Sequence, residues 1–159
     1  MIRLAVFSDT HGSLARLPAA MEQAGRVDGF LHLGDYASDA PRIAELLPVP
    51  YAAVRGNCDY FYGGPEPIPS KRIVTYENAS LLMVHGDAFY NTYELAELAE
   101  KHACAAALFG HTHVPLLTAS GPLLIINPGS LSLPRGGSRS SFAVLTIQGK
   151  NVDAKLISL

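Results

Sequence analysis

Five short polar clusters punctuate this chain, each at the end of an apolar run: Asp9-Thr10-His11, Gly34-Asp35, Gly56-Asn57-Cys58-Asp59, His85-Gly86-Asp87 and Gly110-His111-Thr112-His113. Their side chains are donors that divalent cations accept. A carboxylate has two oxygens and can span two ions, a neutral imidazole offers a nitrogen lone pair, and an asparagine oxygen adds a ligand without charge. Taken singly, each cluster has an ordinary reading. Asp9 or Asp35 would cap a helix or form a turn, His85 would be a packed core histidine, and His111 with His113 would be a solvated turn pair. Five in succession, every one at the mouth of an expected strand, predict a hydrolytic site with donors for two metal ions.

The elements that must position these clusters are legible from the apolar pattern. Ile2 to Phe7, Gly29 to Leu33 and Tyr51 to Val54 read as buried strands, each running into a polar turn. Between them stand two helical stripes. Ser13 is expected to cap a helix bearing Leu14, Leu17, Met21 and Ala24, and Asp39 with Pro41 opens one bearing Ile43, Leu46 and Leu47. Residues 61–69, rich in Gly and Pro, read as a loop. Arg72 to Tyr76 and Ser80 to Val84 form a hairpin, and Asn91 with Glu94 resembles a capping box ahead of a helix with Leu95, Leu98 and Ala99. Ala105 to Phe109 is a short strand. The remainder reads as antiparallel, with strands at 116–119, 123–126, 142–147 and 152–159. Strand–helix alternation followed by hairpins predicts an α/β layered fold with mixed sheets and no linker dividing it. In such sheets the ligand site lies beyond the carboxyl ends of the strands, where every cluster falls.

Composition narrows the function classes. The 159 residues are 48% hydrophobic and 16% charged, with a net charge of −2, as expected of a globular chain that buries most of its apolar surface. Without a Lys/Arg run, a broad grip on duplex nucleic acid is not expected. No apolar run reaches the ~20 residues of a bilayer span, and Ile2 to Phe7 lacks the basic flank of a secretory signal. Two cysteines, Cys58 and Cys104, are too few for a disulfide framework and point to a cytoplasmic protein with reduced thiols.

The ordered motifs resemble those of the calcineurin-like metallophosphoesterases: D-x-H, G-D, G-N-H-[DE], H and G-H-x-H. The third block departs from the family, with Cys58 where most members have histidine. That variant, the chain length and a late Asn127-Pro128-Gly129-Ser130 resemble the small prokaryotic phosphodiesterase branch. The resemblance implies an α-β-β-α sandwich with two mixed sheets, over residues 1–159 as one domain. It implies one metal held by Asp9, His11 and His113, a second by Asn57, His85 and His111, and Asp35 bridging them. It favours manganese, while the nitrogen and oxygen donors also suit Fe, Ni, Co or Zn. Water activated between the ions would attack phosphorus in line, with Asp35, Asn57, Cys58 and His85 as the residues at the reaction centre.

The expected activity is therefore a phosphodiesterase acting on a small phosphate ester. A phosphomonoesterase or nucleotidase on the same site is the nearest alternative. The resemblance also reaches a retromer scaffold subunit of the same fold that lacks part of the site. The full donor set here argues against that role. A homo-oligomer is compatible with the resemblance, though no periodicity shows one. Among other polar residues, His32 reads as a packed core histidine and His102 as a helix C-terminal residue. Asp59 and Asp87 are candidates to orient ligand histidines, and Arg55 and Arg135 to contact phosphate. Tyr60, Phe61 and Tyr62 read as loop packing or an apolar rim. Cys58 reads either as a small space-filler or as a poor substitute for a proton-donating histidine.

Overall fold

The computed structural model describes residues 1–61 and 68–159, without the side chains of 60 and 61. The loop expected over residues 61–69 and the rim or loop packing expected of Tyr60, Phe61 and Tyr62 fall largely outside the described residues. The first half of the chain builds β1 (Ile2–Phe7), α1 (Leu17–Ala24), β2 (Gly29–His32), α2 (Asp39–Leu46), β3 (Tyr51–Ala53) and a 3-10 turn (Asn57–Phe61). The second half builds β4 (Lys71–Tyr76), β5 (Ala79–Val84), α3 (Thr92–Lys101), β6 (Ala106–Leu108), β7 (Leu116–Ser120), β8 (Leu123–Asn127), β9 (Ser141–Gln148) and β10 (Asn151–Ser158).

The strands form two mixed sheets, ordered β10-β9-β1-β2-β3 and β4-β5-β6-β8-β7. Within the first, β1, β2 and β3 are parallel, joined by α1 and α2 because parallel neighbours need a crossover. In the second, β5, β6 and β8 are parallel. The expectation that everything after residue 116 is antiparallel holds for β7 with β8 and β9 with β10, but β8 also runs parallel to β6.

Alternation along each strand divides its apolar residues between two cores. Leu4 and Val6 of β1 point with Leu31, Leu81, Met83, Leu108 and Leu145 into a layer between the sheets. Ala5 and Phe7 point the other way, under α1 and α2, with Leu17, Phe30, Ile43 and Phe142. Phe7 stacks on Phe142 at 5.7 Å between ring centroids. Beneath α3, Leu82 and Val84 meet Leu95, Ala99 and Ile125. The four layers are helix, sheet, sheet, helix, as expected.

Two helix starts differ in detail from the sequence expectation. Helix α1 begins at Leu17 and not after Ser13; its first turn holds Pro18 and has no side-chain cap. An earlier start would have put Pro18 inside the helix, where its ring meets the Leu14 carbonyl and it has no N–H to donate. Ser13 instead donates its backbone N–H to the Thr10 carbonyl (2.9 Å), closing the polar turn. At α3, the Asn91 Oδ1 accepts from the N–H groups of Tyr93 and Glu94. Glu94, however, reaches back to the Tyr90 N–H rather than to that of Asn91.

Candidate metal centre

Six parallel strands deliver their carboxyl ends to the same edge of the sandwich. Beyond β1 lies Asp9–His11, beyond β2 Asp35, beyond β3 Asn57, beyond β5 His85, beyond β6 His111–His113 and beyond β8 Asn127–Ser130. Hydrogen bonds stitch these loops together across the two sheets. The His111 N–H donates to Asp9 Oδ2 (3.1 Å) and the Gly110 N–H to the His85 carbonyl (2.7 Å). The Asp9 N–H donates to the Gly34 carbonyl (3.0 Å).

Close approach of backbone requires glycine at the points where loops cross. Gly34, at φ 98°, packs its Cα against Gly56, and a Cβ there would lie 2.9 Å from the Gly56 Cα. A Cβ on Gly56 would overlap Asp35 Oδ1 and lie 2.6 Å from the Asp35 nitrogen. The donor residues are themselves bent. Asp9, His11, Asp35, His111 and His113 all have φ between 46° and 65°, a region non-glycine residues enter rarely. Surrounding bonds hold that strain in place. The Asp9 carbonyl accepts from Ser130 Oγ (2.7 Å) and Ser132 Oγ (3.2 Å), and the Thr10 carbonyl from Ser132 Oγ (2.8 Å).

Asp9, His11, Asp35 and His113 present donor atoms that all lie within 4.8 Å of one another, a group that can hold a metal ion. His113 Nε2 is 3.1 Å from Asp9 Oδ1 and 3.2 Å from His11 Nε2. Asn57 Oδ1 lies 3.2 Å from His111 Nδ1, and the His85 and His111 rings are 5.3 Å apart. Asp35 stands between the two groups: Oδ1 is 3.3 Å from His85 Nε2 and Oδ2 is 3.7 Å from His11 Nε2. All seven residues expected as metal donors thus converge.

Two histidines are oriented by backbone carbonyls. His85 Nδ1 sits 2.8 Å from the Leu33 oxygen and His113 Nδ1 2.6 Å from the Leu133 oxygen. A carbonyl only accepts, so each Nδ1 carries a proton, and in the neutral ring Nε2 is left as a lone pair aimed into the cluster. Asp9 Oδ1 and His85 Nε2 are buried and make no properly directed hydrogen bond, although cationic or acceptor atoms lie near both. Buried acceptors crowded together without donors are costly unless a cation sits among them. The residues therefore fit divalent metal.

Electrostatics inside the cluster follow from the same proximity. Burial works to raise the Asp35 pKa, but the His85 ring close by and the hydrogen bond from the Cys58 N–H outweigh it and hold the carboxyl well below the usual range. His85 is pulled down by burial and more strongly up by Asp35 and Asp9. His113 is raised chiefly by its contact with Asp9. His11 is lowered, burial outweighing the two carboxylates. The Cys58 thiol is pushed up to about 11, first by burial, then by the hydrogen bond and charge of Asp35.

Other expectations are corrected or extended. Asp59 orients no histidine: its oxygens accept the N–H groups of Ala37 (2.9 Å) and Gly56 (2.7 Å), tying the β2 and β3 loops together. Asp87 is exposed on its turn. His102 caps the C-terminus of α3, as expected. Arg135 is exposed, and its charge reaches His11 and His113, adding a small downward pull on each that leaves His113 raised. Asn127 lies behind the site, not in it. Its Nδ2 donates to the Gly110 carbonyl (2.8 Å) and Thr112 Oγ1 (3.0 Å).

His32 is buried, as expected, but within a polar chain that sequence reading missed. Its Nδ1 accepts from the Gly34 N–H (3.2 Å), so Nε2 carries the proton and donates to Thr10 Oγ1 (2.9 Å). Thr10 in turn donates to Asp39 Oδ2 (2.7 Å), which also accepts from the Gly12 N–H. The signal in the sequence is a threonine and a buried histidine flanking two of the donor motifs. Their contact depends on parallel pairing of β1 with β2.

Fold and donor geometry together describe a metal-dependent phosphoesterase scaffold. The calcineurin-like phosphoesterase superfamily domain model matches residues 2–150, and the chain belongs to that family. The phosphodiesterase YfcE of Escherichia coli is 31% identical over 91% of this chain and 88% of its own length. A solved structure of a predicted phosphoesterase from Streptococcus pneumoniae superposes with a TM-score of 0.78 at 27% identity, covering 99% of this chain and 89% of that one. Zinc-bound Vps29 from Entamoeba histolytica shares the fold at 17% identity, with a TM-score of 0.77 and coverage of 98% of both chains.

Proposed function

We propose that this protein is a phosphodiesterase that uses two divalent cations, manganese favoured, to hydrolyse a small phosphate ester. The carrying observation is the placement of Asp35, with one oxygen toward His85 and the other toward His11. A carboxylate so placed suits a bridge between one ion at Asp9, His11 and His113 and a second at Asn57, His85 and His111. When bound, the ions supply an activated water and neutralise charge on the phosphoryl oxygens. The chain's own residues do the rest. Asp9 and Asp35 provide two negative charges against the cations, which leaves the site electropositive toward a phosphate. The Nδ1 bonds of His85 and His113 keep their rings in one orientation. The charge of Arg135, which reaches His11 and His113, supports it as a partner for an anionic oxygen. The diester preference follows the similarity to YfcE. The complete donor set supports catalysis over a scaffold role.

The test is a panel of mono- and diesters assayed with several divalent metals, with Asp35→Asn alongside. The wild type should cleave a diester with manganese. The variant should lose about a hundredfold or more, beyond what loss of a merely supporting partner costs. Equal rates in the two proteins would remove Asp35 from the reaction.

A further inference from the structure

A cavity of about 330 Å³ opens beside the donor cluster, and His111 forms part of its wall. Gly86, next to His85, contributes another part, so whatever occupies the cavity lies against the metal side of the site. The remaining walls are mainly apolar: Phe89, Leu95, Phe109 and Val114, with Tyr90 almost wholly exposed at the mouth. Among the described residues, no charged side chain lines it. Two of the polar acceptors in the wall are already engaged. Asn91 Oδ1 takes the N–H groups of Tyr93 and Glu94, and Thr112 Oγ1 takes Asn127 Nδ2 and the Val114 N–H.

We infer that this cavity receives one uncharged apolar arm of the phosphate ester, an aryl group or a compact alkyl group, while the phosphate lies at the donor cluster. The inference rests on the phosphodiesterase reading and gives it a substrate class. The volume is at the small end of ligand pockets and suits a single ring. A glycerol or sugar arm would bring hydroxyls against a mainly apolar wall whose Asn91 Oδ1 and Thr112 Oγ1 are already engaged, which disfavours it. An apolar ring buried there is preferred by about tenfold or more.

Phosphonates of equal charge isolate the arm. Phenylphosphonate should inhibit manganese-dependent diester hydrolysis with a Ki about tenfold or more below that of 2,3-dihydroxypropylphosphonate. Val114→Glu, which puts a carboxylate into the wall, should bring the two Ki values together. Saturation-transfer NMR on the metal-free protein gives an independent reading: ring protons of phenylphosphonate should receive saturation from the wild type and lose it with Val114→Glu. Equal Ki values with no saturation transfer overturn the inference and leave the phosphodiesterase reading standing. If no ester is hydrolysed, that reading falls, and the NMR result alone decides the pocket. Should Val114→Glu instead abolish a dimer seen by sedimentation, with no discrimination between phosphonates, the cavity takes a second copy of the chain and the inference is overturned.

Discussion

Cys58 stands where most of the family carries histidine, and its surroundings define what it can do. Beside Asp35 the metal-free thiol is pushed up to about 11, which makes it a weaker acid toward a leaving oxygen than an imidazolium. Hydrolysis should therefore favour esters with good leaving groups. Cys58→His should raise kcat for poor-leaving-group diesters by about a hundredfold, the low side of general-acid gains. Unchanged kcat across a leaving-group series would show that the position only fills space. His32 makes a different prediction. Burial, only partly offset by the charges of Asp39 and Asp59, lowers its pKa from 6.5 to about 4. The unfolded chain takes up that proton near pH 6.5 and the folded chain near 4, so between them the unfolded state binds more protons. Stability should be full above pH 6.5 and fall as pH drops toward 4, by on the order of 3 kcal/mol from this residue. Urea titrations of the metal-free protein should show a shallower loss over that window in His32→Gln. Parallel wild-type and variant curves would assign the acid sensitivity elsewhere.

At the scale of elements, the site depends on loops that nearly interpenetrate. The β2 loop and the β3 loop touch at Gly34 and Gly56, and Asp59 fastens both through N–H groups of Ala37 and Gly56. A methyl group on Gly56 would overlap Asp35 Oδ1 and press on the Asp35 backbone nitrogen and the His85 ring. Gly56→Ala should thus weaken manganese affinity by about tenfold or more, in line with losses from disturbed supporting groups. Calorimetric titration of the folded variant measures it, and wild-type affinity would mean that the loops can separate without moving Asp35. The α3 cap and the Asn127 clamp are the same kind of device, using amide side chains to fix where a loop enters or leaves an element.

Over the whole molecule, both sheets supply donors, so bound metal would tie the layers together. Asp9, His11, Asp35 and Asn57 follow strands of the first sheet; His85, His111 and His113 follow strands of the second. Without cations, buried acceptors face one another across that seam. Saturating manganese at a hundred times Kd should stabilise the fold by about 2.7 kcal/mol for one site, which for a chain this size raises Tm by about 5–10 °C. Scanning calorimetry with and without a chelator reads this directly. A melting temperature indifferent to metal would break the link between donor cluster and fold.

Much of this molecule is legible in its sequence, because strand ends and metal donors leave local marks. Apolar runs stopped by Asp, His or Asn show where each strand delivers its chemistry, and Pro48 and Pro50 show where α2 must stop. The α1 start differs from the sequence expectation because Pro18 acts one turn back, on a carbonyl that only a helix would bring near. Other features depend on partners distant in the chain. The parallel pairing of β8 with β6 needs β7 to be set at the sheet edge, which no local pattern specifies. The apolar neighbours of His32 in β2 give no sign of the Thr10 that β1 brings beside it, and Asp59 meets N–H groups instead of a histidine. Residue types determined which donors exist and in what order. Only packing of one sheet on the other decided that their lone pairs face inward, because the direction of a side chain at a loop tip is set by what the neighbouring loop hydrogen-bonds to it.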